Sequence, residues 1–98
     1  MKDIISKLNK VFESRIRLGI MSVLMVNEWT SFNTLKELLD VTDGNLAGHL
    51  LALEKNKLVA VRKTFIGRKP NTRYSATEKG KKEFREHLDF LTRLIERN

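Results

Sequence analysis

The residues of this 98-residue chain best suited to chemistry lie between positions 42 and 76. Arg62, Lys63, Arg68, Lys69 and Arg73 occupy a stretch with no acidic residue from Arg62 to Ala76. Asp3, Glu13, Glu28, Glu37, Asp40, Asp43 and Glu54 are all scattered upstream of it. Cations without local counter-charges suit a polyanion, held by Coulomb attraction and by N–H donors to phosphate oxygens. Just before them, Asp43, Gly44, Asn45, Gly48, His49 and Ala52 share one side of a helical pattern. Small residues let a helix sink toward a groove floor, and Asn45 and His49 can donate and accept hydrogen bonds as base edges require. Each stretch also has a plainer reading. The helix side could be a solvated face of weak helix formers, and the basic hairpin could be an edge kept soluble by charge. Their adjacency in the chain shifts the balance toward nucleic acid.

Several elements must position these residues. Ile4, Ile5, Leu8, Val11 and Phe12 recur at three- and four-residue intervals, which predicts one amphipathic helix over about 3–12. A more apolar helix follows from Glu13 or Ser14 to Asn27, apolar on more than one side and therefore central. Trp29 to Phe32 suits one short strand, after which Ser31 or Asn33 caps a two-turn helix with Leu35, Leu38 and Leu39 facing inward. Asp40 and Val41 make a turn, and Thr42 caps the next helix, over about 43–56, whose Leu46, Leu50 and Leu53 mark the buried side. The segment 58–76 reads as a hairpin with a loop from Ile66 to Asn71, in which Phe65 and Tyr74 serve the hairpin's own packing. A last helix runs from Glu78 to about Arg97, with a stripe of Phe84, Leu88, Leu91 and Ile95 widened by Phe90 and Leu94. So broad an apolar face exceeds what a small core covers. It predicts a second subunit on this helix, with the alternative that both terminal helices fold back onto the monomer.

Composition bounds the function. A chain of this length fits one domain over 1–98 and leaves little room for a deep internal active site. A net charge of +7 and a 41% apolar content fit a folded, basic protein. With no Cys and only His49 and His87, the chain offers no thiolate-rich metal site and no nucleophile–base–orienter set, so neither an enzyme nor a metal or cofactor is expected. The segment 1–10 lacks the uninterrupted apolar core of a signal peptide, and no run is long enough to span a membrane. The expectation is a cytoplasmic protein without a membrane partner.

The segments RIRLGIMSVL, FNTLKELL, VTDGNLAGHLLALEKNKLV and RKTFIGRKPNTRYSATEKG resemble the small MarR-like winged-helix DNA-binding transcriptional regulators of prokaryotes. The resemblance covers about 8–94, and TDGNLAGHL followed by KTFIGRKPNTRY is its most specific part. It implies a mainly α fold with a small β-hairpin wing, in the α+β class. It further implies a sequence-specific regulator that binds double-stranded DNA as a homodimer. Carried onto matching positions, DNA contacts fall on Thr42, Asp43, Gly44, Asn45, Gly48 and His49 of the recognition helix, and on Lys63, Arg68, Lys69 and Arg73 of the wing. The terminal helices become dimerisation elements through Ile4, Ile5, Leu8, Phe84, Leu88, Leu91, Leu94 and Ile95. Two positions depart from the family pattern. Ala76 stands where a Leu is commoner, and Leu51 stands where a polar residue is commoner. A two-fold dimer would read a palindromic operator with half-sites about 34–36 Å apart. Competing readings are a non-specific architectural DNA-binding protein and a winged-helix protein-interaction module. No polar constellation marks a small-molecule effector site.

Overall fold

A computed structural model describes residues 2–96 and orders them as five helices, one 3-10 turn and three strands. Helix α1 spans Lys2–Lys7, the 3-10 turn Lys10–Phe12, and α2 Arg15–Val26. Strand β1 is Thr30–Ser31, followed by α3 Phe32–Leu39 and α4 Asp43–Lys55. Strands β2 Val59–Ile66 and β3 Lys69–Ala76 form the hairpin, and α5 runs over Glu78–Glu96. The expected end of the last helix at Arg97 lies outside the described residues.

The first amphipathic stretch is split rather than continuous. Asn9 breaks it because all of its polar groups find partners that a helix would forfeit. Its side-chain oxygen accepts from the Val11 N–H at 3.0 Å, its amide nitrogen donates to Glu83 Oε1 at 3.0 Å, and its backbone N–H donates to His87 Nδ1 at 3.1 Å. Those bonds tie the N-terminal segment to α5. Phe12 then enters the core edge-on to Phe84, with ring centroids 5.3 Å apart. Phe84 and Ile4 are therefore buried inside the subunit, which removes both from the set of residues expected to face a second copy. His87 is buried beside them against the Phe12 ring.

Around this seam, α2 is the central helix, with Ile20, Met21 and Leu24 fully buried. Ser14 caps it by accepting from the Arg17 N–H at 3.3 Å. In α3, capped by Ser31, the inward line runs through Phe32, Leu35 and Leu39. Leu38 sits roughly 90° from that line at about 100° per residue, and it is 62% exposed rather than inward-facing.

The chain reverses out of α4 through a paired C-terminal cap. The Leu58 N–H donates to Leu53 O and the Lys57 N–H to Glu54 O, both at 2.9 Å, while Lys57 takes the left-handed φ of 60°. The strand that follows pairs antiparallel with β3, and β1 pairs with the other edge of β3, giving the order β1-β3-β2. The hairpin is tighter than the sequence suggested. Ile66 pairs directly with Lys69, so the loop is only Gly67 and Arg68, with Gly67 at φ 64°. Pro70 lies within β3 opposite Phe65, and in the alternation of antiparallel pairs this is a position whose N–H is not used toward β2. Ala76 pairs with Val59, and both are buried at the foot of the hairpin.

Thr77 and Gly80 then lock α5 to this foot. The Thr77 hydroxyl donates to Lys57 O at 2.7 Å and accepts from the Gly80 N–H at 2.9 Å. Gly80 packs so closely that a Cβ there would meet the carbonyl oxygen of Leu58.

Candidate nucleic-acid interface

Thr42 starts α4 by accepting from the Asn45 N–H at 3.2 Å, which satisfies one of the orphan donors of the first turn. Leu46, Leu50 and Leu53 are fully buried and set the rotation of the helix. At about 100° per residue, the line most nearly opposite them is Gly44, Gly48, Leu51 and Lys55. All four are exposed, Leu51 at 50%, so the departure noted from sequence leaves an apolar side chain in the middle of the outer face. Among the described residues, a Cβ on Gly44 or Gly48 would meet nothing within 4 Å. No internal contact calls for glycine at either place.

Asn45 is exposed on one flank of that line. His49 stands farther round, half-buried at the border with the core. Its Nδ1 accepts a 3.0 Å hydrogen bond from Arg17 Nε, and Arg17 also donates to Val11 O at 3.4 Å. Burial, then the adjacent Arg17 charge, pushes the imidazole pKa below its ordinary 6.5, so the ring is neutral near pH 7. Asp43 is exposed and paired with Lys36 of α3 at 2.7 Å. A carboxylate in the first turn suits the helix dipole, and Lys36 offsets its repulsion of an incoming phosphate. Sequence reasoning missed both Arg17 and Lys36, because neither lies in a pattern that relates it to α4.

The register of the hairpin sorts its cations by face. Successive side chains alternate, so Val59, Val61, Lys63 and Phe65 share one face with their partners Ala76, Tyr74, Thr72 and Pro70. Arg62, Ile66, Lys69 and Arg73 share the other. Lys63, Arg68, Lys69 and Arg73 are all exposed, but Lys63 stands on the opposite face from Lys69 and Arg73, and Arg68 is at the turn. Arg62 lies directly opposite Arg73, an arrangement that costs a few tenths to about 1 kcal/mol unless an anion relieves it. Part of that relief is internal. The Arg62 guanidinium stacks 4.2 Å from the centre of the Trp29 ring, which braces the base of the hairpin against the segment before β1. Both aromatics depart from the expectation that they serve the hairpin's own packing: Tyr74 packs on the core, and Phe65 is 72% exposed.

Among the described residues no group of three or more His, Cys, Asp and Glu could hold a metal ion, and no helix is long and apolar enough to cross a membrane. A shallow cleft of about 400 Å³ lies between Arg15, Ile16, Leu39, Asp40 and Val41, at the start of α2 and the turn before α4.

The profile of the winged helix DNA-binding domain family matches residues 16–95. A transcriptional regulator homologue from Pyrococcus horikoshii is 33% identical, with a TM-score of 0.85 over 97% of this chain and 92% of its own. An uncharacterized protein of Methanocaldococcus jannaschii is 38% identical over 79 residues, 81% of this chain and 86% of its own. The PadR protein of Bacillus subtilis, solved in complex with operator DNA, shares the fold at 18% identity. Its TM-score is 0.69 over 76% of this chain and 48% of its own. The matched segment contains the capped helix α4, the basic hairpin and the core that joins them, and the chain belongs to the winged helix DNA-binding family of transcriptional regulators.

Proposed function

We propose that the protein is a sequence-specific regulator that binds a palindromic operator as a homodimer. Helix α4 enters the major groove, and the wing lies on the backbone or in the minor groove. The observation that carries this reading is the pair Gly44 and Gly48. Glycine in place of alanine costs a helix up to about 1 kcal/mol per position. Here the two glycines relieve no contact within the subunit. Their benefit must lie outside it, at a surface that approaches the helix backbone closely, as a groove floor does. Thr42 and Asp43 then lie at the phosphates flanking the groove, and Asn45 is the side chain placed to read a base edge.

The dimer is supported by apolar side chains the subunit leaves uncovered. Leu88 and Ile95 are exposed on α5, Ile95 at 75%, and Ile5 is exposed on α1, which packs along α5. Leu91 and Leu94 are half-buried on α5, and Leu8 is half-buried just after α1. A cytoplasmic location follows from a genomic DNA partner.

The test is selection from random duplexes at physiological salt, then titration of the winner against scrambled duplex, with sedimentation of the free protein. An enriched inverted repeat with one-turn spacing, bound at least about a thousandfold better than scramble by a dimer, is the expected result. Salt-sensitive binding without enrichment would make the protein architectural. Absence of duplex binding would point to a protein partner.

A further inference from the structure

The tip of the wing is apolar as well as basic, and no packing among the described residues accounts for it. Phe65 is 72% and Ile66 63% exposed at the end of β2. Because adjacent strand residues point to opposite faces, Phe65 lies with Pro70 on one side of the ribbon and Ile66 lies with Lys69 on the other. The turn between them is two residues long and ends in Arg68. The tip is thus a narrow blade with apolar flanks and cations at its edge. A wing that only touched phosphates would have no use for Phe65 or Ile66, which on a strand end invite aggregation.

We propose that this tip is a wedge that opens a duplex step and bends the DNA, an inference that rests on the DNA-binding reading above. The like charges of Lys63, Arg68 and Lys69 disfavour a second copy of the same tip and favour a polyanion. The apolar flanks favour one with a hydrophobic interior to reach, which a base-paired stack provides. Size makes the wedge active rather than passive. Strands in a ribbon are about 4.8 Å apart before side chains are added, and an undistorted minor groove is about 6 Å wide. Arg68 alone fits such a groove. Phe65 and Ile66 follow only if the groove widens and a base step partly unstacks, which kinks the duplex toward the major groove. Steps that unstack easily, such as TA and CA, are then preferred under the wing without any hydrogen bond to their bases.

The experiment uses the full chain and end-labelled duplexes, with energy transfer between the ends reporting bending. The comparison is the wild type against Phe65→Ser/Ile66→Ser, both exposed positions, and against Arg68→Ala. Wild type shortens the end-to-end distance on binding. The Ser variant loses the bend and binds an intact duplex about tenfold more weakly, but recovers affinity on a duplex with a mismatch under the wing. Its salt slope is unchanged because every cation remains, whereas Arg68→Ala lowers the slope. Equal bending by wild type and the Ser variant overturns the wedge while leaving DNA binding intact. Failure of the wild type to bind any duplex overturns the underlying reading and the wedge with it. Binding to anionic phosphatidylserine vesicles that depends on Phe65 and Ile66, with no DNA bending, reassigns the tip to a lipid surface.

Discussion

The Nε of Arg17 donates a 3.0 Å hydrogen bond to the Nδ1 of His49, joining the first turn of α2 to the flank of α4. The bond exists only while the imidazole is neutral, because a protonated ring has no acceptor and carries the same charge as its donor. The folded pKa of His49 is lowered, so the unfolded chain binds more protons at acid pH. The stabilisation is complete above the unfolded value of 6.5 and is lost as pH falls through the lower folded value. His87, buried and accepting from the Asn9 N–H, has its pKa lowered by burial against an opposing pull from Glu13, and it acts in the same direction. Urea midpoints should therefore drop between pH 7 and pH 5, and His49→Gln should shrink the drop. An equal drop in the variant would show that the Arg17 contact has no part in it.

Stability and function should part company at the glycines of α4. Gly44→Ala/Gly48→Ala should raise the unfolding free energy by about 1–2 kcal/mol, because both sites are helical and open. The same variant should bind duplex DNA more weakly, since two methyl groups hold the helix off the groove floor. A variant both more stable and equally tight in a titration would remove the main support for close approach.

Base reading and phosphate contact are separable along the chain. Asn45→Ala should relax preference at one operator position, at a cost of about 1–3 kcal/mol for the preferred sequence only. Arg68→Ala and Lys69→Ala should weaken binding to all sequences alike, each lowering the log–log salt slope by about 0.9 if it neutralises one phosphate. Unchanged preference for Asn45→Ala in a binding-site selection would sink its assignment.

Gly80→Ala should be among the most damaging single methyl additions in the molecule. The new Cβ would collide with the backbone carbonyl of Leu58, which the bonds from Thr77 and the pairing of β2 hold in place. Overpacking of this kind costs about 1–3 kcal/mol or more. Calorimetry showing a loss below 0.5 kcal/mol would mean that α5 can slide along the hairpin foot.

Lys57 offers the opposite case. Its φ of 60° at the end of α4 strains an L residue by about 1–2 kcal/mol. Lys57→Gly should stabilise the fold by a net of about 0.5–1 kcal/mol after the added flexibility of the unfolded chain is counted. A lower melting temperature for the variant would show that the lysine side chain contributes more than its backbone costs.

Helix α4 and its buried Leu46, Leu50 and Leu53 were legible from periodicity, as were the cap Thr42 and the paired strands of the wing, while the cap of α3 was narrowed only to Ser31 or Asn33. Such features arise from local spacing and side-chain-to-backbone bonding, which the chain carries wherever it goes. The family relation was legible for the same reason, since it rests on contiguous segments.

The tertiary structure decided what depends on contacts distant in sequence. Asn9 ends the first helix because His87 and Glu83, more than seventy positions away, take its hydrogens. Phe84 leaves the expected subunit interface because Phe12 claims it, and Leu38 turns outward because Leu39 meets Gly19. The division of the wing cations between two faces, and the exposure of Phe65, follow from a pairing register that only the finished turn at Gly67 sets. Local periodicity fixes which residues share a face. Which face is buried, and which is left to meet a partner, is settled by the packing energy of elements that sequence spacing does not relate.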